Sequence, residues 1–212
     1  MSSWRVLMAR PHPTLNVAAG RAQVKPAEVP VLRHAGQSVT VKLMLDRLDL
    51  EPAFFAPFVA SPMRVEPGWI DYNGHLNMAY YNVLFDRAVD EVYELLGCGL
   101  AYVAASRHSF FTVEVHVRYL RELNAGDPVR VTLQLLGFDA KRLHYFEQLF
   151  HAEEAWLSAT SENMALHVDM AARKTAPFPD AITTRLQRMK AAHANLPVPQ
   201  GAGRRIAMKA GQ

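Results

Sequence analysis

Cysteine is nearly absent from the sequence, and so are the spacings that bind metal ions. Cys98 is the only cysteine among 212 residues, so no disulfide can form within the chain and no thiolate metal cluster is possible. The nine histidines include no His-x-x-x-His pair and no His-Cys grouping, so we expect no metal site. A lone thiol, most simply an inert one, fits a reducing compartment, and we predict a cytoplasmic location.

Long hydrophobic runs are also missing, and neither sign of charge dominates. No apolar run approaches the roughly 18 residues that span a bilayer. The net charge is +3, from 23 Lys and Arg against 20 Asp and Glu. The excess lies largely before Glu28 and after Asp180, so the middle of the chain is near neutral. We therefore predict neither a membrane protein nor a nucleic-acid-binding protein.

Clear periodicity is confined to the middle of the chain. Residues 1–60 form a poorly patterned extension, in which 38–45 alternate like a strand and the proline-rich stretch 51–62 predicts a loop. Its acid-free start is interpreted as an ordinary extension or the product of an upstream start codon. Residues 61–170 form the predicted domain. Residues 171–212 contain a linker, a surface helix from 181 to 193, and a basic tail predicted to be disordered from 196 onward.

One long amphipathic helix is predicted to begin after Asn77. Asn is a favourable N-cap because its side chain accepts hydrogen bonds from unpaired backbone N–H groups. Gly97 is a plausible residue to end the helix. Apolar side chains recur at spacings of three and four and form one stripe, which consists of Tyr81, Leu84, Phe85, Ala88, Val89, Val92, Leu95 and Leu96.

Extended segments surround this helix in the sequence. A short strand broken by Pro67-Gly68 precedes the helix, and four longer strands follow at 109–120, 128–138, 141–151 and 155–168. In the first long strand, alternation places Thr112, Glu114, His116 and Arg118 opposite an apolar face of Phe111, Val113, Val115, Val117 and Tyr119. The order predicts an α+β domain, a long helix packed on a five-stranded antiparallel sheet. Its half-polar strands suggest pairing with another subunit.

The segment "DYNGHLNMAYYNVLFDRA" (71–88) carries a family resemblance. It is similar to the Asp-x-x-Gly-His-x-Asn run that opens the central helix of hotdog-fold acyl-CoA thioesterases of the 4-hydroxybenzoyl-CoA thioesterase-like branch. The strands "SFFTVEVHVRYLREL", "KRLHYFEQLFH" and "SATSENMALHVD" resemble, more narrowly, the betainyl-CoA thioesterases associated with L-carnitine dehydrogenase. The resemblance covers residues 63–170 and implies a single hotdog domain.

The resemblance also implies roles for residues around the helix start. Asp71 would act as the base or the nucleophile, and the backbone N–H of Met78 would polarise the thioester carbonyl. Asn77 would cap the helix. His75 could act in catalysis, bind substrate, orient a carboxylate or only pack. The family implies an acyl-CoA substrate, no metal or organic cofactor, and a homodimer or a dimer of dimers.

Substrate-binding residues are predicted beside these catalytic residues. A betainyl group carries a trimethylammonium ion, which aromatic faces attract. Trp69 and Tyr72 could supply such faces, together with Tyr80 and Tyr81, and Glu114 could supply a charge across a subunit interface. Asn73 and Asn77 are also predicted to bind substrate, although Asn73 could only form the turn. The aromatic side chains could equally be core residues, and Glu114 could belong to a polar subunit-facing surface.

Two other functions remain open from the sequence. The first is a thioesterase for an aromatic or another short-chain acyl-CoA. The second is a non-catalytic acyl-CoA-binding module, although such a module has no need for the carboxylate of Asp71. Hotdog hydratases share the fold, but they usually use an Asp/His or His/Glu pair, and the Asp-x-x-Gly position argues against that chemistry.

Overall fold

The computed structural model describes residues 53–208. The predicted strand at 38–45 and most of the predicted N-terminal extension lie outside this range. Two short strands come first, β1 (Phe58–Val59) and β2 (Met63–Arg64), followed by a 3₁₀ turn (Pro67–Trp69). The long helix α1 (Met78–Leu95) and the short helix α2 (Leu100–Ser106) come next.

Four long strands follow the helices. They are β3 (His108–Tyr119), β4 (Pro128–Phe138), β5 (Arg142–His151) and β6 (Leu157–Asp169). The chain continues through β7 (Lys174–Thr175), helix α3 (Asp180–Ala192) and a 3₁₀ turn (His193–Asn195). All strand pairs are antiparallel, and the main path of the sheet runs β1-β4-β5-β6-β3. The predicted α+β hotdog architecture, a central helix against an antiparallel sheet, is confirmed. The sheet has seven strands among residues 53–208 rather than the predicted five, because the two-residue strands β2 and β7 pair with β4 and β6.

Helix α1 packs its apolar stripe against the sheet, as predicted. Tyr81, Leu84 and Phe85 join a core cluster that includes Val129, Val131 and Leu149. Farther along, α1 and its C-cap contribute Val89, Val92 and Leu96 to a second core cluster, which also includes residues of β4, β5 and α3. Burying this stripe holds the start of α1 in a fixed position at one end of the sheet, because helical stability in proteins comes chiefly from such packing.

Strand β3 departs from the predicted alternation because it contains a β-bulge. Thr112 pairs with Ala165 and Glu114 with Met164, so Val113 is an extra residue without a partner on β6. A bulge shifts the alternation by one residue. Thr112 therefore lies on the α1 side of the sheet with Val115, and the prediction that it shares a face with Glu114 and His116 is wrong.

The segments flanking the predicted domain are also part of its packing. Phe58 pairs with Leu133 in β1, within a stretch predicted to be a loop, because its backbone completes the edge beside β4. Part of the C-terminal tail contacts the sheet, while its disorder stays a prediction. The Gly203 N–H donates to both carboxylate oxygens of Glu162 at 3.0 and 2.7 Å. This shared N–H places Gly203 beside β6.

Among residues 53–208, no helix is both long and apolar enough to cross a membrane.

Candidate active site

A tight turn presents Asp71 immediately before helix α1. The Asp71 carbonyl accepts from the Gly74 N–H at 3.0 Å, and its N–H donates to the His75 carbonyl at 3.1 Å. Gly74 has φ +88°, a left-handed conformation that glycine adopts without strain. The Asp71 Oδ1 accepts from the Asn73 N–H at 2.8 Å. The turn therefore fixes one carboxylate oxygen and leaves the other without a hydrogen bond to the described residues.

The start of α1 follows three residues after the turn. The Asn77 side chain accepts from the Ala79 N–H at 2.9 Å, and its carbonyl accepts from the Tyr80 N–H at 3.0 Å. Asn77 is therefore the N-cap, as predicted. Met78 is the first helical residue, and its N–H makes no hydrogen bond to residues 53–208. A free N–H at the positive end of a helix is suited to receive a developing negative charge.

These groups share one cavity of about 530 Å³. Of the predicted site residues it brings together Asp71, Tyr72, Asn73, His75, Asn77 and Met78. His75 is half-buried, and its Nδ1 lies 3.5 Å from the Leu76 carbonyl, too long for a strong hydrogen bond. Its imidazole is held only weakly and lines the cavity beside the turn. The placement leaves catalytic, binding and packing roles open to His75.

The end of β3 and the residues after it also line this cavity, although the sequence did not indicate them as site residues: Tyr119, Leu120, Arg121 and the carboxylate residue Glu122. The Tyr119 hydroxyl donates to the Met78 carbonyl at 3.2 Å, and the Tyr119 ring meets the edge of Tyr81 at 5.0 Å between centroids. Arg121 supplies a positive charge, and its guanidinium lies over the Trp156 ring at 4.0 Å. One signal in the sequence could have indicated them: the first long strand, β3, ends at Tyr119, and the end of that strand meets the start of α1.

Trp69 does not line the Asp71 cavity, contrary to its predicted place. Its side chain is only 7% exposed and belongs to the core. The ring stacks on Tyr80 at 5.3 Å, and the Arg87 guanidinium lies over it at 5.0 Å. The indole already has two partners, so Trp69 supports the site through its backbone, whose carbonyl accepts from the Asn77 N–H at 3.0 Å.

Glu114 also lies outside the Asp71 cavity within one protomer. The bulge turns it to the side of the sheet away from α1, where it lines a different cavity with His116, His144 and Glu162. The His144 Nε2 lies 2.8 Å from a Glu162 oxygen there. Glu114 therefore does not act together with Asp71 on the same protomer.

The described residues contain neither a cluster of metal ligands nor a reactive thiolate. No group of three or more His, Cys, Asp or Glu side chains is arranged to hold a metal ion among residues 53–208. Burial raises the pKa of the Cys98 thiol to about 12, and the Glu94 carboxylate contributes to the rise. A thiol that holds its proton so firmly is a poor nucleophile.

The geometry around Asp71 fits acyl transfer. A carboxylate with one free oxygen and a backbone N–H without an acceptor border the same solvent-filled space. General-base or nucleophilic attack needs the first group, and stabilisation of an oxyanion needs the second. On a long helix packed against an antiparallel sheet, these features define a hotdog thioesterase-like protein.

Comparison with known families agrees with this class. A model of the thioesterase-like superfamily matches residues 65–186, more than half of the chain. The chain therefore belongs to the thioesterase-like superfamily, and the resemblance found in the sequence is confirmed.

Individual relatives carry more specific names. The chain is 41% identical over 144 residues to a betainyl-CoA thioesterase of Pseudomonas aeruginosa, covering 68% of this chain and 91% of that protein. It is 40% identical over 146 residues to an L-carnitine dehydrogenase/betainyl-CoA thioesterase of Rhizobium meliloti. That match covers 69% of this chain but only 29% of the Rhizobium protein.

A solved structure is similar across the same region. It is that of a hypothetical protein from Staphylococcus aureus in complex with CoA, with a TM-score of 0.68 and 29% identity. The similarity covers 74% of this chain and 98% of the Staphylococcus chain.

Proposed function

We propose that this protein hydrolyses an acyl-CoA thioester to a free acid and CoA. The observation that carries the proposal is the single cavity shared by the Asp71 carboxylate and the unpaired Met78 N–H. Relatives named as thioesterases and a similar protein solved with CoA support the choice of a CoA ester. A module that only binds acyl-CoA gains nothing from a carboxylate beside the helix start.

The reaction follows from the placement of these two groups. Asp71 accepts a proton from water as the water oxygen attacks the thioester carbonyl carbon. The carbonyl electron pair moves to oxygen, and the Met78 N–H stabilises that oxyanion. When the C=O bond re-forms, the C–S bond breaks, and the leaving sulfur takes the proton from Asp71. The acid and CoA leave, and Asp71 is again a carboxylate.

Direct attack by Asp71 is the second possible route. A carboxylate oxygen of Asp71 would displace CoA and form a mixed anhydride, which water would then hydrolyse. A single turnover in water labelled with oxygen-18 detects direct attack when water opens the anhydride at the Asp71 carbonyl, because the label then enters Asp71. Label only in the released acid shows that water attacked the acyl carbon, either of the thioester or of the anhydride, and chemical trapping of the anhydride separates these two cases.

We propose betainyl-CoA as the substrate. The support is the identity of about 40% to relatives that carry this activity in their names. Because the chain spans about 29% of the length of the Rhizobium relative, the proposal concerns only the thioesterase activity in that protein's name. A role in carnitine degradation and a cytoplasmic location are proposed with it, the latter on the single buried thiol of Cys98.

Thiol release from an acyl-CoA panel tests both parts of the proposal. Betainyl, acetyl, butyryl, benzoyl and 4-hydroxybenzoyl-CoA would be compared in wild type, Asp71→Asn and the control Asp90→Asn, which removes an exposed helical carboxylate outside the cavity. Asn can keep the turn but cannot take a proton, so we expect a loss of about 100-fold or more in kcat with acyl-CoA binding intact.

The outcomes separate the alternatives. Preference for betainyl-CoA that Asp71→Asn abolishes supports the whole proposal. Faster turnover of benzoyl, 4-hydroxybenzoyl or a neutral short acyl group supports the thioesterase but excludes the betainyl assignment. Binding without thiol release in the wild type identifies a non-catalytic module.

We further propose that the protein forms a homodimer, alone or within a dimer of dimers. Strand β3 lies at the end of the sheet order and pairs only with β6 among the described strands. Val113 and Tyr119 on this strand are exposed, and Leu120 just beyond it is too. An unpaired apolar edge of this length invites pairing with a second copy. Light scattering would test the dimer, and Val113→Lys should shift it toward monomer.

A further inference from the structure

A second cavity lies beside the middle of helix α1. It has a volume of about 300 Å³ and is bounded by α1 on one side and by strands β3, β5 and β6 on the other. Its polar lining residues are Asn82, Asp86, Thr112, Tyr145, Glu147, Ser161 and Asn163. No lysine, arginine or histidine lines it.

Glu147 at the base of this cavity lacks a complete set of partners. Its side chain is 1% exposed, and one carboxylate oxygen accepts from the Asn163 amide at 3.0 Å. The other oxygen, Oε1, has no hydrogen-bond partner among the residues described. A neutral carboxyl would leave its O–H unmatched there, and an ionised one would leave a charge unmatched. Either form is costly when buried.

The electrostatic surroundings of Glu147 are negative. Burial raises the pKa of its carboxyl well above the usual range, and the nearby Asp86 carboxylate raises it further, against a smaller opposing effect of Asn163. Asp86 faces the cavity from α1. A cation placed between these carboxylates would remove both the repulsion and the unmatched charge.

The apolar and aromatic residues that line the rest of the cavity indicate which kind of cation it would bind. Phe85, Val89 and Val115 are apolar, and Tyr145 adds an aromatic ring. No group of three or more His, Cys, Asp or Glu side chains is arranged to hold a bare metal ion among the described residues, and only two carboxylates line this cavity. A quaternary ammonium ion needs no hydrogen-bond acceptor, presents methyl groups to apolar walls, and is attracted by carboxylates and aromatic faces. The cavity is at the small end for ligand sites, which suits such a head group but not a nucleotide.

The cavity and Asp71 cannot act on one betainyl group within one protomer. Asp86 lies eight residues after Met78 on the same helix, a rise of about 12 Å. In a betainyl thioester only one methylene separates the carbonyl carbon from the ammonium nitrogen. The two sites can meet only if they come from different protomers.

Pairing of two protomers through the free edge of β3 would bring the two sites together. Tyr119 at one end of β3 contacts the helix start through the Met78 carbonyl, whereas Thr112 nearer the other end lines the Glu147 cavity. When two copies of β3 pair antiparallel about a twofold axis, the end of one strand lies beside the start of the other. The helix start of one protomer then faces the Glu147 cavity of its partner.

We propose that Glu147, assisted by Asp86, binds the quaternary ammonium end of an acyl group whose thioester is held by Asp71 of the partner subunit. The inference rests on the proposed thioesterase function and adds the residues that select the acyl group. Glu147 thereby becomes a specificity-determining residue rather than a catalytic one.

A pair of substrates matched in shape tests the selection. Betainyl-CoA and 3,3-dimethylbutanoyl-CoA differ only by a positive nitrogen in place of a carbon. We expect Glu147→Gln to lower kcat/KM at least tenfold for betainyl-CoA and to leave the neutral ester unchanged or improved. Asp86→Asn, which changes an exposed carboxylate, should give a smaller loss in the same direction, and Glu153→Gln, in the exposed turn between β5 and β6, should give none. Equal losses on both substrates would overturn the proposal.

Calorimetry with glycine betaine gives a readout that does not depend on turnover. We expect wild type to bind this probe and Glu147→Gln to lose the binding. If wild type hydrolyses only the neutral ester and does not bind glycine betaine, the subsite is wrong while the thioesterase stands. If it hydrolyses neither of these esters nor any other member of the acyl-CoA panel, the thioesterase is wrong, and betaine binding lost in Glu147→Gln would still support the subsite.

Co-expression of two inactive variants tests the shared site. In a mixed dimer of Asp71→Asn and Glu147→Gln, one site carries both changes and the other carries neither, provided that the two residues come from different protomers. Random mixing should then restore about a quarter of wild-type betainyl-CoA activity. Activity no greater than the average of the two parent variants would overturn the shared site.

Discussion

The two cavities along α1 hold carboxylates in opposite settings. Asp71 is partly exposed, sits in a local turn, and has an oxygen fixed at 2.8 Å by the Asn73 N–H. Glu147 is 1% exposed, sits in the middle of a strand, and has an oxygen with no partner among the described residues. Attack by water needs access to solvent, whereas recognition of a charge is strongest where solvent is excluded. The contrast indicates that the Asp71 cavity carries out the reaction and the Glu147 cavity selects the acyl group.

The largest effect should come from removing the N–H at the Asp71 cavity. Met78 is the first residue of α1, where proline is well tolerated, and Asn77 already has φ −63° and ψ 139°, which suits a residue before proline. Met78→Pro should therefore keep the helix and lower kcat about 100-fold or more, or about 3 kcal/mol of barrier. Steady-state kinetics would measure it.

Met78→Ala is the matched control for that change. It removes the same exposed side chain but keeps the backbone N–H, so kcat should stay close to wild type. If both variants lose activity equally, the side chain matters and the N–H is not the oxyanion donor.

The next effect concerns the pH dependence of folding at the Glu147 cavity. Because the folded-state pKa of Glu147 is raised above its usual 4.5, its contribution to stability is full below that value and is lost as pH rises through the folded pKa. The loss can reach about 1.4 kcal/mol per pH unit within that window. Glu147→Gln should flatten this part of the profile.

Urea unfolding across the pH range would measure the difference between the two proteins. Asp86 faces Glu147 from α1, and Tyr93 and Tyr145 lie near it, but all three are unchanged in the variant. The buried His167 and His193 have lowered pKa values through burial and act in the opposite direction in both proteins. Parallel profiles would show that Glu147 does not titrate differently on folding.

A smaller effect is expected from the cap of α1. Asn77→Ala removes the acceptor for the Ala79 N–H at 2.9 Å and should lower the free energy of unfolding by about 1 kcal/mol. Asn77→Ser should recover most of that stability, because serine also caps helices. Chemical denaturation would compare the three proteins, and equal stability of the alanine variant and wild type would contradict the capping role.

The smallest effect is expected from Tyr119→Phe. The hydroxyl donates to the Met78 carbonyl at 3.2 Å in an exposed setting, and such bonds contribute about 0.5–1.5 kcal/mol at most. We expect a stability loss near the lower figure and less than a threefold change in kcat. A large fall in kcat alone would instead give Tyr119 a direct part in catalysis.

The Asp71 cavity was predictable because its residues are contiguous. Asp71, Gly74, Asn77 and Met78 act through local turn and cap geometry, which depends on neighbours in the sequence. Their placement in one cavity agrees with the sequence-based prediction, while their catalytic roles stay a proposal. The same locality explains why the bounds of α1 were predicted closely.

The Glu147 cavity was not predicted, because its parts come from four elements. A signal was present: Glu147 alternates with Leu143, Tyr145 and Leu149 on a face that is otherwise apolar. Burying a carboxylate at such a position costs free energy unless the carboxylate is paired or hydrogen-bonded. The sequence alone could not place Asp86 opposite it, since that depends on how α1 packs on β5.

The bulge at Val113 explains the main error on strand faces. Strict alternation assigned Thr112 and Glu114 to one face, but one extra residue reverses the assignment for part of the strand. Nothing in a run of Thr, Val and Glu marks a bulge. The pairing with β6, which is a tertiary property, determines where it occurs.

The stacking of Arg121 on Trp156 has a spectroscopic consequence. Arg121 lines the Asp71 cavity, and its guanidinium lies 4.0 Å from the centre of the indole. Indole fluorescence responds to the position of a nearby charge, so a ligand that draws Arg121 toward itself will change the emission of Trp156. Trp69 lies in the core beneath Arg87 and outside the cavity. Replacing both Trp69 and Trp4, the other tryptophan of the sequence, by Phe leaves Trp156 as the source of that signal. The protein thus carries an intrinsic optical reporter of binding at its helix start.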